Sequence, residues 1–490
     1  MQRRSGTRQA FGSEASQTIS ADQCRGCAYP AYAYACAYAY EVNTSDLWDS
    51  TTCWIAKGFS TPVAGSPATI LGQMPFAEPE AVVKLITPGA RARQNKSLLL
   101  YIHVPFCSSK CHFCDWVVGI DTADLIDTGD LRASYVDALC KQIEYYGPVI
   151  SSLGYEVTNL YWGGGTPTRL SPEQITRVHQ TLARVVDLSH VVEHTAECSP
   201  ETVTPEHLAA FTRAGLNRIS AGAQSFDPQI LRRMGRAHSS DQISEAMRLF
   251  RNAGIENFNL DLITGFPEQS AASSIESIQR AIDEGVPHLS LYMFREFAEE
   301  LVSVQQLKRG HREQRSREDR AADYYAAKRA LEAAGYEEYV VGYFAKRPEF
   351  RFDGEDYYFA LRGDSFGFGA GGNSMIGRGF LKSGSPSRYG DANVRAFIAD
   401  PLAMYAMPIA LMPPAFYTVG TFKAFATRDG IQFDRFEDQF GMDFRALRDR
   451  MPKLREWFAE REREGAVFVE TADRIALSPE TWVSTMMFRQ

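Results

Sequence analysis

The sequence predicts an α/β protein with a partial (β/α)6 barrel as its core, an N-terminal appendage and a small α+β, winged-helix-like C-terminal domain. Three observations predict this fold class. Between residues 97 and 294, short apolar runs alternate about six times with amphipathic stretches, which is typical of parallel strands joined by helices. Before residue 97 the composition is irregular, and after about residue 300 the alternation fades. Right-handed crossovers close such a sheet into a barrel, with chemistry at the carboxyl ends of its strands.

Composition sets the class of protein. A chain of 490 residues is long enough for about three average domains. It carries 52 basic and 60 acidic side chains, a net charge of -8, whereas proteins that bind nucleic acid usually have a basic surplus. We therefore expect no nucleic-acid partner and favour a monomer that acts on a small-molecule substrate.

The cysteines and apolar segments indicate the compartment. Nine cysteines are an odd number in a chain too long to need disulfide bonds for stability, and three of them are clustered. The longest apolar tract, residues 397–416, is interrupted by an aspartate and four prolines, and no apolar segment follows the polar start. We expect a cytoplasmic protein without a membrane partner.

Residues 1–95 are predicted to form the appendage. Its run AYPAYAYACAYAYE, Ala28 to Glu41, could form a strand or a poorly ordered low-complexity segment. Cys24 and Cys27 form a CxxC pair that could bind a metal, but a single pair without a second one is a weak indication.

Residues 96–300 are predicted to form the barrel. The apolar runs predict strands at 97–104, 157–162, 191–197, 217–222, 258–262 and 288–294. The amphipathic segments predict helices at 134–146, 172–186, 205–214, 240–253 and 273–284.

Two further regions complete the chain. Residues 301–400 are predicted to extend the barrel, with a helix through Ala334 and a glycine-rich element, DSFGFGAGGNSMIG, at 364–377. Residues 401–490 are predicted to form the C-terminal, substrate-facing domain, in which helices precede a hairpin.

The strongest motif is CSSKCHFC, in which Cys107, Cys111 and Cys114 follow the first barrel strand. Zinc would favour four ligands in paired loops, and a [4Fe-4S] cube normally takes four thiolates, so three cysteines leave one iron open. The loop resembles that of the radical S-adenosylmethionine (SAM) superfamily, in which SAM binds this iron. The resemblance implies a [4Fe-4S] cluster, an electron donor such as flavodoxin or ferredoxin, and Phe113 packed over the adenine.

YWGGGTP, at the end of the second strand, is the next motif. Glycines let a backbone approach a ligand closely, although three glycines alone more often form a turn. No Gly-Lys-Ser/Thr follows, so this is not a phosphate loop. By resemblance to the superfamily, Gly164, Gly165 and Thr166 contact the SAM amino group.

Four polar residues stand at or just after later strand ends, where they are expected to converge on one barrel mouth. Each alone could be a solvated rim residue or part of a structural ion pair. By resemblance, Glu197 contacts the cluster-bound SAM, and the other three hold a second SAM or its ribose: Gln224, Arg236 and Asp261.

From Tyr101 to about residue 300 the chain resembles the oxygen-independent coproporphyrinogen III oxidase family, more weakly so to the C-terminus. The motifs that carry this resemblance are YIHVPFC, GGGTPT, AGAQSF, MGRAH and NLDLITGFP. The resemblance implies two bound SAM molecules, Tyr101 beside the cluster and Asn373 in a late SAM-contacting loop.

Three departures separate the chain from the best-known members of this family. Trp116 stands where the oxidases carry a further cysteine, and DYYFALRGDSFGFG stands where the haem chaperones carry a His-Asn-x-x-Tyr-Trp element. The long appendage is the third departure. Together they favour similarity to the class C radical SAM methyltransferases and cyclopropanating enzymes of natural-product pathways.

The sequence thus favours transfer of a methyl or methylene group from a second SAM to an sp2 carbon of the substrate. The alternatives are oxidative decarboxylation of a porphyrin propionate and a non-catalytic haem carrier. A late acid or base is needed, and His112, Tyr292 or Arg295 could serve, although a structural role is favoured for each of the three. By the family resemblance, Tyr101 lies beside the cluster.

Overall fold

A computed structural model describes residues 76–114, 119–120, 131–294, 316–354, 357, 362–384, 391–408 and 424–482. All of them lie in one unit of the chain, residues 61–490. Several sequence predictions fall outside the described residues: the Ala/Tyr run, Cys24, Cys27, Trp116 and Arg295.

The described strands are β1 (Phe76–Ala77), β2 (Ser97–Val104), β3 (Phe106–Cys107), β4 (Gly119–Ile120), β5 (Glu156–Gly164), β6 (Glu193–Cys198), β7 (Arg218–Gln224), β8 (Asn257–Thr264), β9 (His288–Met293), β10 (Glu337–Val340), β11 (Tyr343–Ala345), β12 (Asp364–Phe368), β13 (Asn373–Ile376), β14 (Gly379–Ser383), β15 (Met404–Pro408), β16 (Ile431–Gln432), β17 (Phe468–Glu470) and β18 (Arg474–Leu477). The described helices are α1 (Pro79–Ala92), α2 (Leu131–Ser152), α3 (Pro172–Val185), α4 (Pro205–Arg213), α5 (Pro228–Met234), α6 (Ser240–Asn252), α7 (Ala271–Asp283), α8 (Arg317–Ala333), α9 (Asp391–Ala399), α10 (Phe433–Phe440), α11 (Phe444–Arg450) and α12 (Pro452–Arg463).

Among the described residues, thirteen strands form one sheet, in the order β1-β15-β14-β13-β12-β2-β5-β6-β7-β8-β9-β11-β10. The strands from β12 to β9 in this order run parallel, and those at both edges are antiparallel. The predicted α/β fold class is confirmed, because the six predicted strands correspond to β2 and β5–β9. The parallel strands are almost continuously buried, as expected where helices cover a sheet.

The helices between these strands begin at side-chain caps. Ser171 and Ser239 start α3 and α6 with capping boxes, in which each serine and the glutamine three residues later bond reciprocally to backbone N–H groups. Asp227 caps α5, a short helix absent from the predicted set, which ends at Gly235 in the left-handed conformation. The loops that lead into these helices are therefore fixed at the carboxyl ends of the strands.

The glycine-rich element forms a seventh parallel strand. β12 pairs in parallel with β2, with Phe366 opposite Leu100. Gly367 permits the sharp return into β13, because a Cβ there would lie 2.5 Å from the Asn373 carbonyl oxygen. The late glycine segment thus pairs with the first barrel strand as part of the same sheet. The sequence predicted only an added element packed against the barrel.

The N-terminal end of the described chain also joins this sheet. β1 pairs with β15, and α1 buries Val82, Ile86 and Ala90. Residues 76–92 therefore form part of the sheet and its cover, although the predicted boundary at residue 95 assigned them to the appendage. The other domain boundaries remain predictions.

The C-terminal described segment has the predicted mixture of helices and a hairpin. α10, α11 and α12 precede the hairpin of β17 and β18, and β16 completes a three-stranded antiparallel sheet. Gln439 of α10 donates to the buried carboxylate of Asp364 at the start of β12, 3.0 Å away. None of the helices in the described part of the chain combines the length and apolar character needed to cross a bilayer.

Candidate radical-generating site

The loop that carries the three cysteines begins where β2 ends, and Cys107 is the last residue of β3. All three cysteines are partly exposed. The loop is attached to the end of α5, since the His112 amide donates to the Met234 carbonyl at 2.9 Å and Ser109 Oγ donates to the Gly235 carbonyl at 3.2 Å. The helix that the sequence analysis missed therefore holds the loop over the barrel mouth.

The donor set of this loop fits an iron–sulfur cube. The pKa of Cys107 is raised to about 12, chiefly by burial. A hydrogen bond with Thr166 opposes this shift, and the negative charges of Cys114 and Cys111 contribute to it. The three sulfurs thus interact electrostatically, and bound cations would favour their thiolate forms. Within the described residues, no three such ligands converge on a single ion. Cysteines of a cube bind three different irons, so they need not converge on one point.

The glycine run lies directly against the cysteine loop and β2. Cys107 Sγ lies 3.7 Å from Thr166 Oγ1. A Cβ added to Gly165 would lie 3.0 Å from Cys107 Sγ. Gly164 has φ +111°, and a Cβ added there would lie 2.7 Å from the His103 ring. Only glycine fits these close approaches, so the motif predicted from sequence is a cradle beside the cysteines and not a simple turn.

Glu197, on β6, faces this cradle. Its carboxylate accepts hydrogen bonds from Tyr161 Oη at 2.6 Å and from the Gly164 amide at 3.2 Å. The pKa of Glu197 is raised to about 7, chiefly by burial. The Tyr161 hydrogen bond opposes this shift, and the charge of Asp261 contributes to it. This carboxyl can therefore hold or release a proton near neutral pH.

Arg236 connects three parts of the mouth. Its Nη1 donates to Cys111 Sγ at 3.2 Å, and its Nη2 donates to the Gly222 carbonyl at 2.7 Å and to Ser199 Oγ at 2.8 Å. Its Nε is buried and has no acceptor among the described residues. An unsatisfied buried donor is costly, so this nitrogen fits an acceptor on a bound group.

A second layer of polar residues lies behind Arg236. Ser199 Oγ donates to Glu201 Oε2 at 2.6 Å, and His238 Nδ1 lies 3.2 Å from the same oxygen. Burial would raise the pKa of Glu201, but the His238 hydrogen bond and the Arg236 charge outweigh it and hold that pKa at about 2. Glu201 is therefore a carboxylate at neutral pH.

Gln224 is the last residue of β7, and Asp261 lies within the neighbouring strand β8. The pairing of β7 with β8 shifts between Ala221 and Gln224, and Gln224 has φ +69°. Such a bulge changes the direction of a side chain at a strand end. Asp261 Oδ1 accepts from Asn259 Nδ2 at 2.8 Å, and burial raises the pKa of Asp261. Both residues lie in the same barrel as Glu197, as predicted.

The remaining predicted residues are more dispersed. Tyr101 stacks on Tyr161 with ring centroids 5.8 Å apart. Phe113 packs against an apolar cluster of α5 and the β8 and β9 ends, and His112 Nδ1 lies 2.7 Å from the Arg233 carbonyl. Two residues lie on other strands: Tyr292, whose Oη lies 3.1 Å from Tyr343 Oη of β11, and Asn373, exposed at the start of β13.

Four contributors were not among the predicted site residues: Tyr161, Ser199, Glu201 and His238. Ser199 and His238 each lie two residues after a selected residue, whereas Tyr161 lies three residues before Gly164 and Glu201 four residues after Glu197. Tyr161 lies two residues before Gly163 in the same strand, so the two residues share one face of the sheet. The spacing could have indicated Tyr161, whereas nothing in the sequence shows that Glu201 and His238 meet.

Comparisons with known proteins agree with this geometry. The radical SAM superfamily profile matches residues 101–281. The heme chaperone HemW of Escherichia coli is 32% identical over 282 residues, which cover 57% of this chain and 70% of HemW. The oxygen-independent coproporphyrinogen III oxidase of Bradyrhizobium diazoefficiens is 33% identical over 186 residues, 38% of this chain and 40% of that protein.

A solved structure shows the same fold. The Escherichia coli coproporphyrinogen III oxidase HemN, described as a radical SAM enzyme, superposes with a TM-score of 0.67 and 21% identity, covering 84% of this chain and 93% of that one. At this identity the likeness is one of fold.

Proposed function

The chain belongs to the radical SAM superfamily, in the group that contains HemW and the oxygen-independent coproporphyrinogen III oxidases, and on this premise we propose that it removes a propionate carboxyl group from a porphyrinogen-type substrate. Proteins of this superfamily use a [4Fe-4S] cluster and SAM, as the cysteine motif predicted. When bound, these cofactors supply one electron and a 5′-deoxyadenosyl radical that abstracts hydrogen.

One observation carries the assignment of the chemistry. The contact between Cys107 Sγ and Thr166 Oγ1, at 3.7 Å, joins the cluster loop to the glycine cradle of the next strand. In this arrangement Cys107, Cys111 and Cys114 would hold the cluster. The cradle at Gly164 and Gly165 leaves backbone groups open to SAM.

The other residues of the mouth orient the bound groups. Glu197 carries a carboxyl that can accept from an ammonium group of SAM or keep its own proton, because its pKa is about 7. Arg236 presents its buried Nε to a carboxylate or a ribose oxygen. Gln224 and Asp261 would orient a second SAM on the same rim, and the barrel walls exclude water from the reacting atoms.

Decarboxylation takes first place because the named relatives are heme chaperones and coproporphyrinogen oxidases. The proposed reaction releases the propionate carboxyl as carbon dioxide and leaves a vinyl group, with one hydrogen abstracted and one electron passed to an acceptor. The acidic substrate would enter at the carboxyl ends of the parallel strands.

Methyl or methylene transfer is the second candidate, and sequence observations favour it. Trp116 replaces the cysteine that the oxidases carry, and the segment before the late glycine loop lacks the His-Asn-x-x-Tyr-Trp element of the haem chaperones. In this reaction His112, Tyr292 or Arg295 would serve as the late acid or base, with Tyr101 beside the cluster and Asn373 as a SAM contact.

One experiment separates these functions. The reconstituted, anaerobic full chain is incubated with coproporphyrinogen III, dithionite as the reductant and SAM carrying a ¹³C methyl group, and the products are identified by mass spectrometry. Binding of haem is measured in a parallel titration. The proposal predicts carbon dioxide and vinyl products without ¹³C. Tetrapyrrole product with ¹³C would support transfer instead. Haem binding without any SAM cleavage would contradict both and indicate a carrier.

A further inference from the structure

Glu201 and His238 form a buried pair behind the barrel mouth, and neither belongs to the predicted SAM contacts. The His238 side chain is fully buried, and that of Glu201 is 17% exposed. His238 Nδ1 lies 3.2 Å from Glu201 Oε2, and His238 Nε2 lies 3.0 Å from the Ala223 carbonyl oxygen of β7. The pair is therefore fixed to the sheet.

Ser199 connects the Glu201–His238 pair to Arg236 through two hydrogen bonds, each with a defined direction. A serine hydroxyl has one hydrogen, which Ser199 donates to Glu201 Oε2 at 2.6 Å. It can therefore only accept from Arg236 Nη2, 2.8 Å away. Without the carboxylate, the Ser199 O–H is free to turn toward Arg236. Two donors, this O–H and the Arg236 N–H, would then face each other.

Arg236 in turn places a cationic N–H against one cysteine sulfur. Nη1 lies 3.2 Å from Cys111 Sγ, while Nη2 donates to Ser199 Oγ and to the Gly222 carbonyl and also lies 3.4 Å from His238 Nδ1. A hydrogen bond from a cation to a ligand sulfur stabilises the reduced, more negative state of an iron–sulfur cluster. The direction of this guanidinium therefore affects how readily the cluster accepts an electron.

We propose that Ser199, Glu201 and His238 are positioning residues that hold Arg236 against Cys111 and so raise the reduction potential of the cluster. This inference rests on the proposed function only in that a cluster binds to the three cysteines. It applies whether the later step is decarboxylation or methyl transfer.

The sign of the shift distinguishes positioning from simple electrostatics. Removing the negative charge of Glu201 would by itself make the cluster easier to reduce and raise its potential. If the carboxylate instead acts by holding Arg236, its removal weakens the bond to Cys111, and the potential falls. Ser199→Ala changes no charge, so simple electrostatics predicts no shift for this variant.

The experiment is an EPR-monitored redox titration of the reconstituted full chain under anaerobic conditions. S199A and E201Q should both have lower midpoint potentials than the unsubstituted protein, and R236Q the lowest. Glu206→Gln is the matched control, since it removes an exposed carboxylate in the first turn of α4 and should leave the potential unchanged.

Each other outcome contradicts the inference. An unchanged or raised potential in S199A and E201Q would overturn it while leaving the cluster assignment intact. Failure of these variants to take up four irons per chain would also overturn it, because all three cysteines are present and only the potential is expected to move. An unsubstituted chain that binds no cluster would overturn this inference and the proposed function together.

Discussion

The carboxyl of Glu197 links cofactor binding to pH through its two hydrogen-bond donors. Tyr161 and the Gly164 amide both donate to it, yet burial keeps its pKa near 7. The sequence selected Glu197 because it ends a strand, but its partner Tyr161 was not selected. A strand end can be located from an apolar run, whereas the identity of the donor across the barrel depends on register between strands.

The pKa of Glu197 predicts a pH dependence of stability in the cofactor-free protein. The folded-state pKa of about 7 exceeds the ordinary value of 4.5, so the folded state holds this proton more tightly. The contribution is fully present below about pH 4.5 and is lost as the pH rises through about 7. This contribution to the free energy of unfolding is about 1–3 kcal/mol.

Glu197→Gln should remove this pH dependence. The free energy of unfolding is measured by urea titration between pH 5 and 8. As the pH rises, the unsubstituted protein should lose stability relative to E197Q. Glu256→Gln, at an exposed glutamate before β8, is the control. If the stability of E197Q and that of the unsubstituted protein changed with pH in the same way, burial would not raise the pKa of Glu197.

Gly164 gives a second prediction for a single residue. Gly164→Ala should destabilise the protein by about 3 kcal/mol, because φ is +111° and the new Cβ would lie 2.7 Å from the buried His103 ring. Gly154→Ala is the matched control, with φ +75° and nothing within 4 Å, and should cost only about 1 kcal/mol. Equal losses in thermal or urea unfolding would argue against the close approach at the cradle.

At the scale of elements, β12 joins the N-terminal and C-terminal parts of the described chain to the barrel. Asp364 at its start is fully buried and ion-pairs with Arg93 at 3.3 Å. It also accepts hydrogen bonds from Tyr155, the Gly377 amide and Gln439. These contacts connect residues more than 300 positions apart, which no local pattern could indicate. The parallel strands, in contrast, were predictable because each is a continuous apolar run.

Asp364→Asn should therefore destabilise the fold by about 2–3 kcal/mol, since it places an N–H among donors and leaves Arg93 with only its second ion-pair partner, Asp438. The measurement is urea unfolding monitored by circular dichroism. Asp449→Asn, on an exposed part of α11, should change stability by about 0.5 kcal/mol or less. A loss below about 1 kcal/mol in D364N would show that the network contributes little.

At the scale of the whole molecule, the parallel strands bring residues from distant motifs to one mouth. Cys111 was selected from the cysteine spacing, Glu197 from its place at a strand end and Arg236 from its motif. In the structure Arg236 donates to Cys111 Sγ, and the Glu197 carboxylate accepts from the Gly164 amide. The reaction subtype was less predictable, because it depends on substrate contacts for which the sequence has no recognisable motif. Trp116 favoured group transfer, whereas the named relatives are a heme chaperone and a coproporphyrinogen III oxidase.

The central claim is that the three-cysteine loop supports reductive cleavage of SAM. The most direct measurement is the yield of 5′-deoxyadenosine from anaerobically reconstituted protein with SAM and dithionite, quantified by mass spectrometry. The unsubstituted protein should form it, as should Cys140→Ala, which alters a buried cysteine of α2 away from the loop. Cys111→Ala should form none above background. Cleavage retained in C111A, or absent from an unsubstituted protein with a full cluster, would contradict the claim.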